Sequence, residues 1–189
     1  MDTGVYQVAH TLIGALTAAL ASTRAGAPCV SVVHPGTSTP MYGWCKCEDN
    51  AEGMAWTRVV SIAPTIRFPQ PISGVAAPGE VVQLAAVIEL GVDRCYWSTE
   101  DNSMPPIEIL DSMARDIADD AAAMMRAVQC AGLPQDVVLG SWMPRGPSGG
   151  IHGGTMTVTV RVDSCAPCTS VMTPLDEVVA MLPGDPRAS

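Results

Sequence analysis

The sequence predicts an α+β fold: one mainly antiparallel sheet with helices packed on it and a long protruding β-hairpin. Three observations predict it. Residues 155–162 alternate strictly, with Met156, Val158, Val160 and Val162 on one side and Thr155, Thr157, Thr159 and Arg161 on the other. That is the period of a strand with one buried face. Residues 107–128 instead repeat Ile107, Leu110, Ala114, Ile117, Ala121, Met124 and Val128 at three- and four-residue spacing, the stripe of an amphipathic helix. Between the β-type runs 137–142 and 155–162, the segment 144–154 holds five glycines and two prolines, which reads as a protruding loop.

Along the chain, Val5, Val8, Leu12, Leu16, Ala19 and Leu20 give a first helix over residues 5–22, stopped by Gly26 and Pro28. Residues 29–34 (CVSVVH) form a short strand closed by Pro35-Gly36. Residues 37–53, with Tyr42 and Trp44, are loop-like, and 55–62 (AWTRVVSI) is a strand that Pro64 ends. Proline and glycine make 67–79 a mobile surface loop. Residues 82–93 alternate with Leu84, Ala86, Ile88, Leu90 and Val92 on the core side, a long strand expected in mid-sheet. Pro105 and Pro106 stand in the first turn of the long helix, Ser103 is placed to cap it and Gly132 to close it. Its polar face, with Glu108, Asp111, Arg115, Asp116, Asp119 and Asp120, is expected to be mainly solvated; the alternative, a catalytic or metal carboxylate cluster, lacks a His or Glu-x-x-His companion at Asp119-Asp120. Met113, Met124 and Met125 suit packing. Residues 1–163 are expected to form the domain and 164–189 a C-terminal extension or arm, in which 174–182 forms a short helix.

At 189 residues the chain suits one well-buried domain, but a single Phe, three Tyr and four Trp leave few large anchors, so burial is expected to come partly from association. A net charge of −9 with scattered basic residues argues against clamping nucleic-acid phosphates. The apolar stretch 10–21 lacks the preceding positive charge of a secretory signal, and no run approaches the roughly 20 apolar residues that span a bilayer. Folding in the cytoplasm and no membrane partner are the expectations.

The seven cysteines are Cys29, Cys45, Cys47, Cys95, Cys130, Cys165 and Cys168. For a cytoplasmic product the reading is buried, reduced thiols. The alternatives are a four-thiolate zinc site from Cys45, Cys47, Cys165 and Cys168, or disulfides in a mature extracellular particle. His10, His34 and His152 fall in a helix, a strand end and a loop, with no nucleophile or acid at recognisable spacing. Ser141 in LGSWM lacks the second glycine of a nucleophile elbow, and GPSGGIHGG lacks the Lys-Ser/Thr of a phosphate loop. The expectation is no enzyme, no cofactor and no metal.

Three stretches carry a resemblance: WCKCEDNAEGMAWTRVVSIAPTIRFP, a long strand ending DRCYW before a proline-started helix, and VVLGSWMPRGPSGGIHGGTMTVTVRV. Together they resemble a family of tail proteins of long-tailed phages of actinobacteria. The pattern is most specific at Gly140, Trp142, Pro144, Gly146, Pro147, Gly149, Gly150, Gly153 and Gly154; it departs at Ile151 and Met156, where relatives often carry Cys and an aromatic residue. The element order is similar to that of tail terminators. The resemblance implies a structural virion protein that forms a ring, a hexamer, on the head-proximal end of the tail tube. Its implied partners are copies of itself, the major tail tube protein and the head–tail connector or stopper, with genomic DNA passing through the lumen without specific binding. Assembly in the host cytoplasm and residence in the virion neck follow. The loop residues Trp142, Pro144, Arg145, Pro147, Ile151 and His152 are the expected contacts with a neighbouring subunit or the tube. Another neck or tail component, such as a head–tail stopper or tube subunit, is the alternative, and a small zinc-binding module a more distant one.

Overall fold

The computed structural model describes residues 4–37, 52–75, 77, 80, 82–99, 101, 103–133 and 136–162. The expectations for Tyr42, Trp44, Cys45, Cys47, Cys165, Cys168, the helix at 174–182 and the 164–189 arm lie outside these residues. In chain order the elements are α1 (Val5–Leu20), β1 (Val30–Val33), β2 (Met54–Arg67), β3 (Gln70–Pro71), β4 (Gln83–Cys95), α2 (Ile107–Cys130), β5 (Val137–Ser148) and β6 (Ile151–Val162). The sheet runs β1-β2-β4-β6-β5, with β3 attached to β2. Among the described residues only β1 and β2 are parallel; the other pairings are antiparallel. The fold is therefore α+β, mainly antiparallel, with helices packed on the sheet.

Both helices cover one face. Leu12, Leu16 and Leu20 of α1 and Ala123, Met124 and Ala127 of α2 share a cluster with Ile88, Leu90 and Val92 of β4 and Met156, Val158 and Val160 of β6. Each fully buried large aliphatic contributes about 1.5–3 kcal/mol. A polar peg sits among them: the buried Thr57 hydroxyl donates to the carbonyl of Ala9 at 3.1 Å, fixing α1 against β2. The expected mid-sheet strand is β4, paired with β2 on one side and β6 on the other.

Several sequence expectations change. Pro64 does not end β2, which pairs with β4 from Met54 to Thr65. The Pro64 carbonyl accepts from Ile72 N on the β3 side, so the missing proline N–H faces that side and the β4 ladder is intact. Part of the expected loop 67–79 is strand β3. The protruding loop at 144–154 is absent: β5 runs to Ser148, β6 starts at Ile151, and only Gly149 and Gly150, with φ of 59° and 77°, turn the chain. β6 is paired with β4 from Ile151 to Val162, so nothing in it stands clear of the sheet. Glycine makes this possible, since a Cβ at Gly153 would strike the Val92 carbonyl and one at Gly154 the Trp142 ring.

Helix α2 is also turned from its expected orientation. Ile107 is 72% exposed and Ala114 exposed, whereas Met113, Asp120, Ala123 and Ala127 are buried beside Met124 and Val128. Pro106 occupies the N-cap position and no side chain caps the helix, so Ser103 does not have that role. The rotation brings Asp120 onto the sheet, where a charge on β4 awaits it.

Candidate interaction surface

Among the described residues, strand β5 forms one border of the sheet and pairs with β6 alone. Residues 137–144 (VVLGSWMP) carry no charge in a chain of net charge −9. Val138 and Leu139 are each 41% exposed and Met143 63%. Natural sheets usually blunt such a border with charges, because its unpaired N–H and C=O groups accept another strand. Here register shifts between Leu139 and Trp142 and between Arg145 and Ser148, together with the two prolines, interrupt it, while the run 137–144 itself holds no charge.

The six expected contact residues divide between that border and the interior. Pro144 and Pro147 are exposed on β5. Trp142 is half-buried, packs against the main core, and its Nε1 has no hydrogen-bond partner among the described residues. Arg145 reaches back into its own chain, with Nη1 3.3 and 3.2 Å from the two Asp93 carboxylate oxygens and its guanidinium 5.4 Å from the Trp56 ring centroid. Ile151 and His152 are buried inside the sheet.

Behind this border lie two buried polar clusters, one on each face. On the helix-free face, Asp93 is 1% exposed and accepts from Trp56 Nε1 at 3.2 Å. Burial raises its pKa above the ordinary carboxylate value, against the opposing Arg145 charge and the Trp56 hydrogen bond. On the helix face, Arg94 donates from Nε and Nη2 to Asp120 at 2.9 and 3.0 Å, and to the carbonyls of Glu52 and Gly26 at 3.0 and 2.8 Å. Thr23 Oγ1 donates to Asp120 at 3.2 Å, which ties the end of α1 to α2. His152, opposite Arg94 on β6, meets Tyr96 edge to face at 5.6 Å between centroids. Burial lowers its pKa, opposed by a hydrogen bond with the Cys95 backbone and by Asp116 and Asp120, while Arg94 adds to the lowering.

The sequence reading missed these clusters, although it contained their signal. Continuing the β4 alternation one step past Val92 places Arg94 on the core side, where an arginine needs a carboxylate. Asp120 lies three residues after Ile117 and four before Met124, on the edge of the apolar stripe. The acidic face, expected to be mainly solvated, departs from that at Asp120, which is buried. The reading of reduced thiols fails at Cys29 and Cys95, which are disulfide-bonded and half-buried at the same end of the sheet; Cys130 is a free, exposed thiol. Spacing alone does not reveal which thiols the fold brings together.

Among the described residues no group of three or more His, Cys, Asp or Glu side chains is placed to hold a metal ion. Two surface hollows, of about 410 and 270 Å³, are lined respectively by residues around β3, including Arg67 and Ile72, and by Val128, Leu133, Val137 and Leu139 beside β5. The buried carboxylates and His152 have their polar partners within the chain, which suits them to holding elements together. No protein-family model matches the chain, and no curated protein is significantly similar to it.

Proposed function

We propose that this chain is a structural subunit that assembles with copies of itself into a closed ring, and that the ring is the tail terminator of a long-tailed actinobacteriophage. The observation that carries the self-assembly reading is the β5 border: a long outer strand, uncharged over residues 137–144, with exposed Val138, Leu139 and Met143 in an otherwise acidic chain. The identification with tail terminators rests on the glycine–proline pattern around Trp142 and on the element order. In that role the ring caps the tube of major tail protein, offers its other face to the head connector or stopper, and lets DNA pass through an acidic lumen that repels its phosphates. No catalytic step or cofactor belongs to this reading.

Sedimentation and negative-stain imaging of the purified chain test it. A terminator yields a single closed ring of one size. Long tubes favour the alternative of a tail-tube subunit, and a species that remains a single copy at every concentration removes the self-assembly reading.

A further inference from the structure

The border opposite β5 is interrupted. Strand β2 is paired with β4 from Met54 to Thr65, but on its other side β1 covers only Met54 to Thr57, and β3 covers only Thr65 to Arg67. Residues 58–63 between them have no strand partner on that side among the described residues. The carbonyls at the two ends of this gap point into it and are taken, Thr57 O by His34 N at 2.7 Å and Pro64 O by Ile72 N at 2.9 Å. Strand alternation puts the backbone groups of Val59 and Ile62 on the same side. The gap is thus a notch one strand wide, with β1 at one end and β3 at the other. Its wall, residues 58–63 (RVVSIA), holds one charge, Arg58, which is paired with Glu89 of β4, and Val60 and Ile62 are 44% and 51% exposed.

Three relationships match this notch to β5. The first is height. Following the ladders across the sheet, Val138 is level with Thr159, Val87 and Ser61, and Leu139 with Val158, Ile88 and Val59. The uncharged start of β5 therefore stands at the same height as the notch on the opposite border. The second is direction. Three successive antiparallel pairings separate β5 from β2, so the two strands run in opposite senses. A second copy placed alongside by rotation about an axis parallel to the strands then brings β5 to β2 antiparallel, the stronger pairing. The third is length. Trp142 is level with Thr57, where β1 begins to occupy the border, and the β5 ladder is irregular between Leu139 and Trp142. A bulge bends its strand, and here it does so at the height where β1 would otherwise obstruct the rest of β5.

Resting on the self-assembly reading above, we infer that residues 137–139 of β5 enter the β1–β3 notch of a second copy and pair antiparallel with residues 59–62. The contact is head-to-tail: each copy offers a strand on one border and a notch on the other, which is the geometry that closes rings. It covers Val138, Leu139, Val60 and Ile62 together and places Val138 beside Ser61 of the neighbour on the helix-free face.

Charge placed at those two exposed positions tests the pairing in the full-length chain. Val138→Lys and Ser61→Glu are each expected to weaken self-association by roughly tenfold or more in sedimentation equilibrium, with the secondary-structure content read by circular dichroism unchanged. The uncharged variants V138T and S61A are expected to associate as the wild type does, which separates the charge effect from damage to the fold. An equimolar mixture of V138K and S61E is expected to recover association to within about twofold of wild type, because lysine then meets glutamate at one junction and the native pair meets at the next. Wild-type association by either charged variant alone, or failure of the mixture to recover, overturns the inference while leaving self-assembly standing. Loss in V138K with none in S61E overturns it in favour of β5 pairing with its own copy. A wild-type chain that never associates overturns this inference and the reading beneath it together.

Discussion

Arg94 on β4 grips Asp120 on α2 through two hydrogen bonds, 2.9 and 3.0 Å, with side chains only 1% and 2% exposed. The same guanidinium holds the carbonyls of Glu52 and Gly26, and the same carboxylate accepts from Thr23. Sheet, long helix and the segment after α1 are thereby fixed to one another at one point. Replacing Asp120 by Ala leaves the arginine charge buried without a counter-ion and is expected to cost about 3–5 kcal/mol in urea unfolding. The double variant Arg94→Met, Asp120→Leu is expected to recover most of that loss. A single variant within about 0.5 kcal/mol of wild type would falsify the assignment of this pair as a tertiary lock.

Asp93 makes the fold sensitive to pH in the acidic range. Burial raises its pKa above the ordinary carboxylate value, so the folded chain holds this proton more tightly than the unfolded chain. Stability from this group is present below the unfolded pKa of about 3.9 and is lost as pH rises through the folded value. Arg145 limits that loss by favouring the ionised carboxylate. Arg145→Met is therefore expected to destabilise more at about pH 7 than at about pH 4, by roughly 1–3 kcal/mol at the higher pH. Equal losses at the two pH values count against an Arg145–Asp93 role.

His152 gives a slope of the opposite sign. Its pKa is lowered, chiefly by burial, so below about 6.5 the unfolded chain takes up a proton that the folded chain resists. The stability it allows is present above that value and declines as pH falls. His152→Asn is expected to flatten the dependence of the urea midpoint on pH between about 7 and 5. An unchanged slope in the variant removes His152 as its source.

Gly91 is required by an indole. A Cβ there would overlap the six-membered ring of Trp56, which is 1% exposed and held through Nε1 by Asp93. Gly91→Ala is expected to cost about 1–3 kcal/mol or more, because neither partner has room to give. Gly14 is the control: it lies in α1 with open space around the added methyl. Gly14→Ala is expected to stabilise by about 0.5–1 kcal/mol. Thermal melts of the two variants shifting in the same direction would contradict this account.

What the sequence determined by itself was the part of the fold written in short periods. Alternation located β4 and the end of β6 with their core sides, and the 3.6-residue period located α1 and α2, because each of these patterns reports one element meeting one apolar face. The tertiary structure decided what depends on two elements at once. The segment 144–154 became strand because β4 continues far enough to pair with Ile151, and because glycines at 153 and 154 let backbone and indole approach where side chains would collide. Asp120 became a buried counter-ion because Arg94, distant in sequence, emerges on the same face. The expected contact residues Ile151 and His152 went inside for the same reason, and Val138, Leu139 and Met143 stayed outside because the sheet ends at β5 and no further strand of this chain follows it in the described order. Composition carries no information about which strand comes last. That is fixed by the order of pairing, which among the described residues places the uncharged run 137–144 on the outermost strand.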